Sequence, residues 1–251
     1  MNKVGIVGGI GPEASNKFCE LLIKRKSKKT DQENIPFIHL CNPQIPDRTE
    51  FILGKGENPI PAIIETCLKM EKMGADFLVI PCNTAHCFLS EIQEKVSIPI
   101  VDMTKVLMKK IKISAPSIKK IGVLATTGSR TNKLFENYLG SIGIETITPT
   151  ETEQEELVME AIYGKKGIKA GRKIYPKKLL YLAAQKLIGR GAQAIILGCT
   201  EIPLVLKQKD FAIKLYDPME IVAKEIINYV ESKEKPEVVT VKYVIPKTIE
   251  I

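Results

Sequence analysis

The 251-residue chain has no tryptophan, two histidines and aromatic residues at only 6%. That poverty matters because the formal net charge is +8, which raises the question of nucleic acid. Nucleic-acid modules pair a basic face with stacking aromatics, a zinc-finger pattern or an RNP-type run, and none of these occurs. The lysines fall instead in scattered runs at 24–29, 109–112 and 165–173, as on solvated helix faces. Such a surface still attracts small anions. No apolar run approaches the roughly 20 residues needed to cross a bilayer, and Met1-Asn2-Lys3-Val4 has no signal-peptide layout. The cysteines (Cys19, Cys41, Cys67, Cys82, Cys87 and Cys199) lack the dense spacing of a disulfide scaffold. A reduced, cytoplasmic protein with no nucleic-acid or membrane partner is expected. Cys82, His86 and Cys87 are neighbours, yet there is no C-x-x-C pair and the only other histidine is His39. No metal is expected.

What is present is a repeat. Residues 74–86 read G-A-D-F-L-V-I-P-C-N-T-A-H and residues 191–203 read G-A-Q-A-I-I-L-G-C-T-E-I-P. In each copy a Gly-Ala pair leads through an apolar run to a cysteine, Cys82 or Cys199. The copies lie 117 positions apart, and the same shift carries Val4-Gly5-Ile6-Val7 onto Ile121-Gly122-Val123-Leu124. One spacing held by two distant matches predicts two copies of one α/β unit.

The chain order agrees. An apolar run at 3–8, a glycine turn and a helix over 13–26 form the start of a parallel α/β layer. The turn, Gly8-Gly9-Ile10-Gly11-Pro12, lets backbone approach a ligand and exposes helix-start amides to an anion. Gly9-x-Gly11-x-x-Ala14 also satisfies a relaxed dinucleotide fingerprint, but the strand at 37–41 ends in Cys-Asn-Pro without the ribose-binding acid. A tight turn and a cofactor site both remain open readings. A turn-rich connection over 42–56 carries Arg48, whose planar fork suits a carboxylate. Helices are expected at 60–73, 104–113, 133–139, 151–163, 177–189 and 219–232. Strands are expected at 77–81, 98–102, 121–125, 143–148, 194–197 and 214–216. The expected fold is α/β with two similar domains, each a parallel-type sheet flanked by helices, related by pseudo-twofold symmetry. Residues 1–113 with 215–232 form the first domain and 117–213 the second. Residues 233–251 are an extension containing the strand-like V-V-T-V-K-Y-V-I.

Cysteines at equivalent strand ends would flank one cleft from opposite sides. Each precedes an expected helix start, where amides and dipole lower a thiol's pKa. A thiolate on one face of a carbon and a thiol on the other suit inversion at that carbon, the work of a racemase or epimerase. A single buried cysteine is more often a small core residue, as Cys19 and Cys67 are read. Two at one repeat spacing are not so easily set aside.

The motifs G-G-I-G-P-E-A at 8–14, P-D-R-T at 46–49, P-C-N-T-A-H at 81–86, G-I-K-A-G at 167–171 and G-C-T-E-I-P at 198–203 resemble the aspartate/glutamate racemase superfamily. They are most similar to its cofactor-independent aspartate racemase branch, over residues 1 to about 230. The resemblance implies that Cys82 and Cys199 are the acid–base pair, with neither pyridoxal phosphate nor metal. It implies that Arg48 with Thr49 holds the distal carboxylate, that Lys169 is its second cation, and that Asn83, Thr84 and Thr200 hold the α-carboxylate and amine. It further implies a homodimer acting on a small acidic amino acid, interconverting L- and D-aspartate or glutamate. Glutamate racemases usually carry a histidine after the second Cys-Thr; Glu201 stands there instead, which disfavours glutamate and a cell-wall role. The rival readings are a maleate isomerase or hydantoin racemase-like enzyme, a non-catalytic amino-acid-binding protein, and a nicotinamide-dependent oxidoreductase.

Overall fold

The structure, a computed structural model, describes residues 2–24 and 30–232. The strand-like stretch at 238–245 and the expected end of the first helix beyond Lys24 lie outside the described residues. Strands β1 (Val4–Gly8), β2 (Phe37–Cys41), β3 (Phe77–Val79) and β4 (Ile100–Val101) form one parallel sheet in the order β2-β1-β3-β4. Strands β5 (Lys120–Leu124), β6 (Glu145–Ile147), β7 (Ala194–Leu197) and β8 (Lys214–Tyr216) form a second in the order β6-β5-β7-β8. The orders are the same, and so is the register of the central pair of strands. Val4 pairs with Phe77, and Ile121 with Ala194, which keeps the 117-residue shift of the sequence. β1, β3 and β7 are buried at every residue, as continuous apolar strands are when helices cover both faces of a sheet.

The Gly-Ala pairs have a local cause. Helices Ile60–Lys72 and Ile174–Gly189 both close on a glycine in left-handed conformation, Gly74 at φ 82° and Gly191 at φ 95°. In each, the following alanine amide reaches back to a carbonyl five residues earlier, Ala75 to Met70 and Ala192 to Leu187, both at 3.1 Å. A helix ended this way satisfies its last carbonyls and turns the chain sharply into the next strand. The repeat therefore conserves its spacing from helix end to cysteine.

Of the two helices that end the units, one departs from the expected domains and the other follows them. Helix Met103–Ser114 follows β4 of the first sheet, yet it buries Leu107, Met108 and Ile111 among Ile121, Val123, Ala194 and Ile196 of the second. Helix Pro218–Ser232 follows β8 of the second sheet and buries Met219, Val222, Ala223 and Ile226 among Val4, Phe77 and Val79 of the first. The boundary expected at residue 215 is also corrected, because Leu215 and Tyr216 pair with β7 in the second sheet. Each unit thus lends its last helix to the other, and the two cores are closed reciprocally.

Candidate active site

In both sheets the chain leaves the first strand toward one edge and returns to lay the third on its other side. The crevice at the carboxyl ends of those two strands is where open α/β sheets bind ligands. After β1 and β3 come Ile10 and the run Cys82-Asn83-Thr84; after β5 and β7 come Thr126 and the run Cys199-Thr200-Glu201. All of these residues line a single cleft, joined by Arg48, Tyr163 and Lys169. Cys82, Cys199, Arg48, Asn83, Thr84, Lys169 and Thr200 are thereby brought together. Thr49 is not on the cleft wall. It is buried against Gly128 of the second unit, where its Oγ1 makes no hydrogen bond among the described residues.

Cys82 is held through its backbone. Its carbonyl lies 2.9 Å from His86 Nδ1, and the Met103 amide donates to His86 Nε2 at 3.1 Å. The second bond makes Nε2 an acceptor, so the network assigns the proton to Nδ1, which donates to Cys82. His86 thus anchors the cysteine loop to the start of a lent helix. Beside it, Thr84 Oγ1 meets Thr126 Oγ1 at 3.0 Å and accepts from Ser129 Oγ at 3.0 Å, which ties the two units together at the cleft.

Among the described residues, three polar atoms at this cleft are buried without a partner: both side-chain atoms of Asn83 and Nε of Arg48. Buried orphans of this kind cost stability, and in a cleft they are handles for a polar ligand. Arg48 is otherwise spent on the loop, donating from Nη1 to the Pro46 carbonyl at 2.8 Å. Burial works to lower its pKa, but the pull of Cys82, Asp47 and Tyr163 outweighs it, and the group is held above its ordinary value. A cation therefore lies alongside Cys82.

Cys199 faces the opposite charge. Its Sγ donates to Glu201 Oε2 at 2.9 Å, the Thr200 hydroxyl donates to the same oxygen at 3.3 Å, and Lys169 Nζ lies 3.8 Å from Oε1. Burial, then the charge of Glu201, pushes the Cys199 thiol well above its ordinary value. That corrects the expectation of a helix start lowering it. Only a three-residue 3-10 turn, Ile202–Leu204, follows, too short to supply a dipole.

Glu201 also explains a glycine. A Cβ on Gly11, at φ 27°, would overlap Glu201 Oε1. The glycine turn after β1 leaves room for a carboxylate of the chain itself. The 117-residue shift places Glu201 on Thr84, so the two cysteine runs match in backbone and differ in charge. Glu201, Tyr163, Thr126 and Ile10 were not among the expected site residues. The repeat holds a signal for Glu201, as an acid standing where the other copy has a hydroxyl.

Two α/β units that each deliver a buried cysteine into one cationic cleft define a paired-thiol protein. The chain belongs to the Asp/Glu/hydantoin racemase family, whose model matches residues 7–226. It is 28% identical over 232 residues to the broad specificity amino-acid racemase RacX of Bacillus subtilis (strain 168), across 90% of this chain and 96% of that one. The structure of Picrophilus torridus aspartate racemase matches with a TM-score of 0.82 at 26% identity, across 92% of this chain and 95% of the other. An aspartate racemase homologue from Pyrococcus horikoshii OT3 shares the fold, with a TM-score of 0.71 at 24% identity over 92% of this chain and all of the other. Among the described residues no helix is long and apolar enough to cross a membrane.

Proposed function

We propose that this racemase inverts the α-carbon of aspartate, using Cys82 and Cys199 as paired base and acid, without pyridoxal phosphate. The observation that carries the reading is the placement of the two cysteines. They stand at repeat-equivalent strand ends and open into one buried cleft that also holds Arg48 and Lys169.

The chemistry balances without an added group. A thiolate on one face removes the α-proton and becomes a thiol, leaving the electron pair on carbon. The thiol opposite gives its proton to the other face and becomes the thiolate, so product release leaves the roles exchanged. The asymmetry of charge supports Cys199 as the protonated partner at rest, with Arg48 standing on the Cys82 side of the cleft. The unpaired Asn83 amide is suited to hold the α-carboxylate as charge develops on the carbanion, because donors fixed in advance cost no reorganisation. Two cations in one cleft favour a second carboxylate on the substrate. Similarity to a broad-specificity racemase supports testing glutamate and neutral amino acids beside aspartate.

The test is proton NMR of L-aspartate with purified protein in D₂O, without added cofactor. Loss of the α-proton signal with appearance of D-aspartate on chiral chromatography supports the proposal. A retained signal, with turnover of maleate or a hydantoin instead, replaces it.

A further inference from the structure

Tyr163 ends a helix that starts at Glu151 and widens into a π-helical turn over Gln154–Met159. Such turns shift the register of everything after them and recur at functional sites. The shift delivers Tyr163 to the mouth of the cleft, where it touches both cationic elements at once. Lys169 Nζ sits over its ring at 4.9 Å from the centroid. Its hydroxyl crosses to the first unit and donates to Asp47 Oδ2 at 3.1 Å. Asp47 in turn caps the short helix that begins with Arg48, its Oδ1 accepting from the Thr49 and Glu50 amides at 2.8 and 3.0 Å.

One side chain therefore spans the two walls that carry Arg48 and Lys169. We propose that Tyr163 is the residue that gauges substrate chain length: its ring fixes Lys169 and fills the space a longer acid needs, while its hydroxyl ties down the Arg48 loop. The proposal rests on the reading of the cleft as a racemase site for an acidic amino acid. Tyr163 acts on the chemistry only as a positioning residue, through Lys169 and through Asp47 and Arg48.

The two functions of the side chain are separable. Tyr163→Phe keeps the ring and removes the tie, whereas Tyr163→Leu removes both. Racemisation of aspartate and of glutamate is measured for the wild type and both variants, with circular dichroism and a thermal melt as the folding check. For Tyr163→Leu the ratio of kcat/KM for aspartate to that for glutamate is expected to fall by about tenfold or more, the scale on which a pocket discriminates one methylene. For Tyr163→Phe the ratio is expected to hold while KM for both acids rises several-fold at nearly constant kcat, the mark of lost uniform binding. A folded Tyr163→Leu with an unchanged ratio overturns the gauge, and a Tyr163→Phe with unchanged KM overturns the tie. Should Tyr163→Leu fail to fold, Tyr163→Met and the Tyr163→Phe kinetics carry the same decision. A wild type that turns over neither acid overturns the underlying reading instead, and that outcome is read before any variant is made.

Discussion

The thiol of Cys199 is hydrogen-bonded to the carboxylate of Glu201, 2.9 Å away, inside a cleft where both side chains are buried. The pair sets the two cysteines apart, because the corresponding neighbour of Cys82 in the first unit is Thr84. A racemase must serve two mirror-related faces, yet the electrostatics of this cleft at rest are one-sided.

Glu201→Gln tests that asymmetry. Burial remains the largest influence on Cys199, but removing the charge lowers the thiol's pKa. In a Cys82→Ser background, alkylation of Cys199 followed by mass spectrometry is expected to set in about one pH unit lower or more, the scale of one close charge. An unchanged profile would show that burial alone holds the proton.

Cys82→Ser and Cys199→Ser are each expected to abolish net racemisation, a loss of about a thousandfold or more, since a general acid or base contributes up to roughly 10⁴-fold. Each variant retains α-proton exchange with solvent deuterium for at most one enantiomer. Full racemisation by either single variant removes the two-base mechanism, and NMR in D₂O with each pure enantiomer decides it.

Asp217 gives a stability signature separate from the chemistry. It accepts from the Met219 amide at 2.9 Å at the start of helix Pro218–Ser232, and burial raises its pKa from 3.8 to about 6. A carboxyl raised in the folded state favours folding while protonated. Its contribution is whole below about pH 3.8 and is lost as pH rises through about 6. Asp217→Asn therefore gains on the wild type between pH 4 and pH 7, by on the order of 1–3 kcal/mol. Urea midpoints at the two pH values measure it, and a constant difference between the proteins contradicts it.

The lent helices predict unfolding as one unit. Leu107→Ala, in a helix that follows the first sheet and covers the second, is expected to cost about 2–5 kcal/mol. Hydrogen exchange of the slowest amides in β1 and β5 should lose protection together. If β5 alone weakens, the two cores are not coupled.

The strands and the cysteine pair were legible in the sequence because one shift, from Val4 to Ile121 and from Cys82 to Cys199, is imposed by matched register in two sheets. The Gly-Ala pairs were legible for a similar reason, since Gly74 and Gly191 adopt a backbone conformation that few other residues take. The exchange of helices was legible only in half: the last helix was expected on the first unit, but the crossing of helix Met103–Ser114 to the second sheet was not. Leu107, Met108 and Ile111 mark a buried stripe, but periodicity tells only that a face is covered and never by which sheet. Glu201 was marked only by its mismatch with Thr84 in the repeat, and its role was not legible. An acid two residues past a cysteine reads as an exposed turn until the backbone of Gly11 is seen to make space for it.

The lending of helices bears on ancestry. A half-length chain of this design, with its last helix reaching outward, would leave its own sheet bare on one face. Two identical copies would cover each other and would bring two copies of one cysteine into a shared crevice. Joining them end to end would then keep a working pair of thiols without inventing either. Thr84 opposite Glu201 marks a place where such twins stopped being identical, and where a symmetric crevice acquired a preferred side.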